Sequence, residues 1–195
     1  MPSEELSLGQ KLMLQRLMAS HVLASDEAKK LFDELNDTTH ASLNQCWKEI
    51  NASLSPAFGL EVATVSLNGT RYHAVINQHA DDIAKQSFKN LTPNVKAYMR
   101  LVLEFLAEKE LGSRMDLINL RTKVDAKHKA LSIQDSELAL DNLIDEFWLT
   151  CNNKENRRAS MSQEYMVGPR SYLELGHLLK DFGMEEMPQI IYHRT

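Results

Sequence analysis

The chain has 195 residues, with 22 lysines and arginines against 27 aspartates and glutamates, for a formal net charge of −5. Hydrophobic residues make up 43% and charged residues 25%, a balance that excludes a disordered tail and a collagen-like rod. No run approaches the roughly 18 consecutive apolar residues of a membrane-spanning helix, and no secretory signal is read in the acidic opening Met1-Pro2-Ser3-Glu4-Glu5. Cys46 and Cys151 stand far apart and outside any metal-ligand spacing, which points to a reducing compartment.

In chain order, Leu8 to Ser20 reads as a helix with Leu14, Leu17 and Met18 on one face. After His21-Val22-Leu23, Ser25 precedes Asp26 and Glu27, a hydroxyl cap with two acids placed well for the helix dipole. Ala28, Leu31, Phe32 and Leu35 form that helix's stripe, and Asn36-Asp37-Thr38-Thr39 breaks it. A third helix shows Leu43, Cys46, Trp47, Ile50 and Leu54, and is expected to stop before Pro56. The period then changes to two, and Asn68-Gly69 supplies the positive-φ pair of a type I′ turn, so a hairpin is expected around it.

Gln78 to Leu91 is polar and reads as a linker. Thr92-Pro93 starts another helix, with Val95, Tyr98, Met99, Val102 and Leu106 as its stripe. A short helix is expected around Leu117 to Val124. Ser132-Ile133-Gln134-Asp135 resembles a capping box and opens a helix with Leu140, Leu143, Ile144 and Phe147 on one face. Trp148-Leu149-Thr150-Cys151 and Tyr165-Met166-Val167 read as two strands around a polar tip. Gly168-Pro169 launches one closing helix with Leu175, Leu178, Leu179 and Phe182 inward. The expected fold class is mainly α with small β-hairpins: two tandem winged-helix domains at 1–78 and 93–183, a linker at 79–92 and a C-terminal tail at 184–195.

Catalytic motifs are missing from this pattern: no glycine-rich phosphate loop, nucleophile elbow or His-Glu-x-x-His stands in it. His73 reads as a solvated imidazole on the wing, His177 as exposed, and His193 as lying on a frayed end. Nucleic-acid binding is opposed by charge, since residues 1–90 hold 8 basic and 11 acidic side chains and residues 91–195 hold 14 and 16. Two local exceptions are the stretch with Arg121, Lys123, Lys127 and Lys129, and the second wing tip with Lys154, Arg157 and Arg158. These seven are the candidate DNA contacts. Leu101, Leu103 and Phe105 lie off the main stripe of their helix, which either buries that helix deeply or covers a partner.

Several runs together resemble the non-SMC element 1 family. They are Leu17-Met18-Ala19-Ser20-His21-Val22-Leu23, Glu49-Ile50-Asn51-Ala52-Ser53-Leu54 and Tyr72-His73-Ala74-Val75-Ile76-Asn77. Two more follow: Leu140 to Leu149 with its Phe147-Trp148-Leu149 exit, and Gly168-Pro169-Arg170-Ser171-Tyr172-Leu173-Glu174-Leu175. The likeness runs from about Leu8 to Phe182. It implies a nuclear subunit of the structural-maintenance-of-chromosomes five/six complex, acting in DNA repair and chromosome maintenance. It further implies pairing with a MAGE-like winged-helix subunit and, through it, with a kleisin subunit.

Full-length members of the family carry a zinc-binding RING-like domain that supports ubiquitin ligation. Gly183 to Thr195 hold no cysteine, so neither zinc, any other cofactor nor ligase activity is expected of this chain, and no metal or catalytic residue is assigned. The expectation is an interaction subunit that docks the MAGE-like partner, with DNA bound weakly or only within the complex and no membrane contact. The alternative is a stand-alone winged-helix DNA-binding regulator.

Overall fold

Ser7 opens the first helix by a reciprocal cap: its hydroxyl accepts from the Gln10 N–H, and the Gln10 side chain accepts from the Ser7 N–H. In the computed structural model, which describes residues 5–35, 42–78, 91–125, 127–152 and 163–194, this helix is α1 (Leu8–Ser20). It buries Gln10, Met13 and Leu17, whereas Met18, expected inside, is exposed. There follow β1 (Leu23–Ala24), α2 (Ser25–Leu35), α3 (Leu43–Phe58), β2 (Leu60–Leu67) and β3 (Thr70–Asn77). The chain is mainly helical with small antiparallel sheets and divides into two compact units, Met1–Asp81 with Pro188–Thr195, and Asp82–Met187.

In the first unit, Cys46, Trp47, Ile50 and Leu54 of α3 pack with Met13, Leu17, Leu23, Ala28 and Val62. Pro56 does not end α3 as expected. It sits in the last turn, where a missing N–H removes a single bond, and the helix runs on to Gly59, left-handed at φ 63°, whose N–H bonds the Ser55 carbonyl. Asn68 and Gly69 have φ 49° and 79°, so the type I′ turn forms and sets the β2–β3 register from Leu67↔Thr70 to Leu60↔Asn77.

The segment 184–195, expected as a tail, departs from that reading. Ile190–Tyr192 forms β7, antiparallel to β2 with Ala63 opposite Tyr192, and the sheet order is β1-β3-β2-β7. Asn51 explains the return. Its amide donates to the carbonyls of Val62 (2.9 Å) and His193 (3.0 Å) and accepts from the Val62 N–H (2.6 Å). Arg194 adds two bonds to the buried Glu61 carboxylate, at 3.1 and 3.2 Å. With a strand on each side and α3 packed against it, β2 buries Glu61 to Val65 without a break, and the expected alternation is not seen.

The second unit repeats the order. Thr92 caps α4 (Pro93–Lys109), then come β4 (Gly112–Ser113), α5 (Arg114–Asn119) with a 3₁₀ turn (Leu120–Thr122), α6 (Ile133–Asp145), β5 (Leu149–Cys151) and β6 (Glu164–Val167). The sheet order is β4-β6-β5. The short helix begins three residues before its expected start because Ser113 and Asp116 form a capping box. Phe147, expected on the apolar face of α6, lies beyond its end at φ 63°. The closing helix is two: α7 (Pro169–Glu174) and α8 (Gly176–Asp181). Leu175 turns into the core at the break, φ −121°, and Gly176 is a poor helix former. Gly168 is obligatory, since a Cβ there would lie 2.7 Å from the Trp148 carbonyl carbon.

Candidate functional site

The most organised polar cluster among the described residues lies in the first unit, on one face of its sheet. Thr64 of β2 and His73 of β3 are register partners. Below them lies Trp47 of α3, its ring centroid 5.5 Å from that of His73. His193 follows β7, and its ring nitrogens meet the Thr64 hydroxyl at 2.6 Å and the Asn44 side-chain oxygen at 2.7 Å. His73 meets the Thr64 hydroxyl at 2.7 Å and the Ser25 hydroxyl at 2.9 Å. A groove of about 740 Å³ opens over this cluster, walled by α2, the start of α3 and the sheet.

The proton positions follow from the donors available. The Asn44 oxygen can only accept, so His193 Nδ1 carries a proton, and in the neutral ring Nε2 accepts from the Thr64 hydroxyl. Thr64 then accepts from His73 Nδ1–H, and His73 Nε2 accepts from the Ser25 hydroxyl. This chain of bonds satisfies two neutral imidazoles. Burial agrees: it pushes His73 down to about 4, helped by the nearby His193 and Arg71, and it lowers His193 too, with Lys48 adding to the effect.

Ser25 facing an imidazole has the outline of an activated nucleophile. The residue behind the imidazole, however, is a hydroxyl and not a carboxylate, so nothing stabilises the imidazolium that general-base catalysis would form. The chain of bonds holds strands together and leaves proton transfer unassisted. His73 and His193 are thus corrected from solvated and frayed to buried and bonded, while His177 is exposed as expected. The I′ turn already implied that Thr64 and His73 sit opposite one another; no local signal brings in His193, which is 129 residues from Thr64.

The expected partner residues are placed differently from a free surface. Leu103 is in the core of the second unit, and Leu101 and Phe105 are half-buried against it, because α4 is packed on several sides by its own fold. Of the candidate DNA contacts, Lys123, Lys127 and Lys129 are exposed in the stretch between the 3₁₀ turn and α6, and Arg121 is half-buried with its guanidinium donating to the Ile118 carbonyl. Asn94 anchors this stretch through the Lys129 N–H at 3.2 Å. Lys154, Arg157 and Arg158 lie outside the described residues. The third helix of the unit, α6, carries Asp135, Glu137, Asp141 and Asp145 and neither lysine nor arginine. An acidic helix is poorly suited to a phosphate-lined groove.

Among the described residues, no three His, Cys, Asp or Glu side chains converge as metal ligands. The two cysteines are each buried in the core of their own unit. No described helix is long and apolar enough to cross a membrane.

These features define a protein of two helical units, each closed by a small antiparallel sheet. A family model described as the Nse1 non-SMC component of SMC5-6 complex matches residues 10–127, more than half of the chain, and the chain belongs to that family. This is the family that the sequence runs resemble. A solved chain of an "Nse1-Nse3-Nse4 complex" shares the fold over 91% of this chain and 75% of its own length, with a TM-score of 0.69 and 19% identity. No curated protein matches the chain.

Proposed function

We propose that the chain is an interaction subunit of the structural-maintenance-of-chromosomes five/six complex, nuclear and acting in DNA repair. In this reading both units are winged helices, one or both of which dock a MAGE-like winged-helix subunit and reach the kleisin through it. The family match over residues 10–127 carries the reading. The element order supports it: in each unit a helix, a short strand, two helices and a hairpin follow one another, with the short strand lying beside the second hairpin strand. The solved relative is named as a complex of three subunits, which supports the same partners here.

Co-expression of the chain with a MAGE-like subunit, followed by size-exclusion chromatography, tests the pairing. A single peak holding both chains at micromolar concentration is the expected outcome. Two separate peaks would refute it.

A further inference from the structure

The groove of the first unit contains a donor and a cation that the fold itself leaves unused. Trp47 is fully buried, yet its indole N–H has no acceptor among the described residues. A buried donor without a partner is costly, so such a group calls for a water, ion or ligand atom to satisfy it. The polar neighbours have nothing to offer it, because His73, His193 and Thr64 are all committed to one another and to Ser25 and Asn44. Across the groove on β3, Arg71 is exposed, and no hydrogen bond or ion pair joins its guanidinium to another described residue. Asp26, Lys29 and Asp33 of α2 line the opposite rim, one turn apart along the helix. Phe32, Leu43 and Ile191 supply apolar wall.

One orphan donor and an unpaired guanidinium between apolar walls is a sparse polar pattern. It suits a peptide side chain with an adjacent acid better than a sugar or nucleotide, which would need many donors and acceptors. We propose that this groove binds a short segment of a partner protein that presents an apolar side chain beside a carboxylate. The side chain lies against Phe32, Leu43 and Ile191, the carboxylate pairs with Arg71, and an oxygen of the segment accepts from the Trp47 indole. The site is independent of the subunit reading above and stands or falls without it.

The chain has two tryptophans, which makes the test internal: Trp47 reports on the groove and Trp148, in the second unit, serves as reference. The full chain labelled with ¹⁵N is titrated with N-acetyl-phenylalanine and, separately, with its carboxamide. The Trp47 indole resonance moves with the acid at a Kd of about 1 mM, the scale expected of so small a probe, while Trp148 stays still. The carboxamide binds about ten-fold more weakly, and Arg71→Gln, a change at an exposed position, removes that difference. A Trp47 resonance unmoved at roughly ten times that Kd would overturn the proposal. So would equal affinity for acid and carboxamide, or a difference that survives Arg71→Gln.

Discussion

In both units a capped helix leads into a two-residue strand, two helices and a hairpin, and the same backbone order encloses two kinds of interior. The second unit is closed from within its own stretch of chain. Its largest buried ring, Trp148, is covered by the Arg170 guanidinium at 4.1 Å, which is in turn held by Glu174 at 2.8 Å and Glu146 at 3.4 Å. The first unit is closed by residues far away in sequence, through β7, His193 and Arg194, and its sheet face is stitched by side-chain hydrogen bonds. The contrast teaches that element order sets the architecture, while the way the sheet is covered sets what a change of residue or pH will do. It also bears on function, since the orphan donor lies in the unit with the polar interior, and the acidic third helix in the other.

The largest expected effect is that of Trp148→Ala. It removes a fully buried ring and leaves Arg170 without its stacking partner, a loss of about 3–5 kcal/mol for the second unit. Urea unfolding followed by Trp47 fluorescence should show the first unit's midpoint nearly unchanged; a matching fall in both units would erase the comparison.

Acid comes next. The folded-state value of His73 lies below its ordinary 6.5, at about 4, so the unfolded chain binds the extra proton first. Stability is full above pH 6.5 and falls as pH drops toward 4, by roughly 3 kcal/mol from this residue. His193 shifts in the same direction and adds to the loss. Hydrogen-exchange protection, corrected for intrinsic rates, should decline over this window in β2 and β3, with no counterpart from this cause in β5 and β6. Asn51→Ala should cost about 2 kcal/mol, within the range for stranding buried backbone groups, and should release β7 first in hydrogen exchange. Smallest is the triple change Lys123→Ala, Lys127→Ala and Lys129→Ala, which should leave the melting temperature within about 2 °C because all three side chains are exposed.

Local signals made most of the elements legible. Ser132 accepts from the Asp135 N–H at 3.0 Å at the expected helix start, Thr92 caps α4, and Asn68-Gly69 turns the hairpin. Each of these is decided by a few consecutive residues. The misreadings share a cause of another kind. Nothing near Ile190 announces a strand, because its partner is β2 and its anchor is Asn51, far upstream. His73 looked solvated because a hairpin read alone has one open face, and only α2, α3 and the returning chain close it. Pro56 and Gly176 show the finer limit, where the consequence of a helix breaker depends on which turn it occupies. The off-stripe residues of α4 were ambiguous on periodicity alone, and only packing places Leu103 in a core.

The central claim is that the chain works as an interaction subunit and not as a DNA-binding regulator in its own right. Fluorescence anisotropy on a labelled DNA duplex, with the chain alone and then with the MAGE-like subunit, tests it most directly over a range of salt. The account predicts that the chain alone binds only in the non-specific range, about 1–100 µM at physiological salt, and that affinity rises when the partner is added. Nanomolar binding by the chain alone would contradict it, with a steep salt dependence that Arg157→Ala and Arg158→Ala flatten.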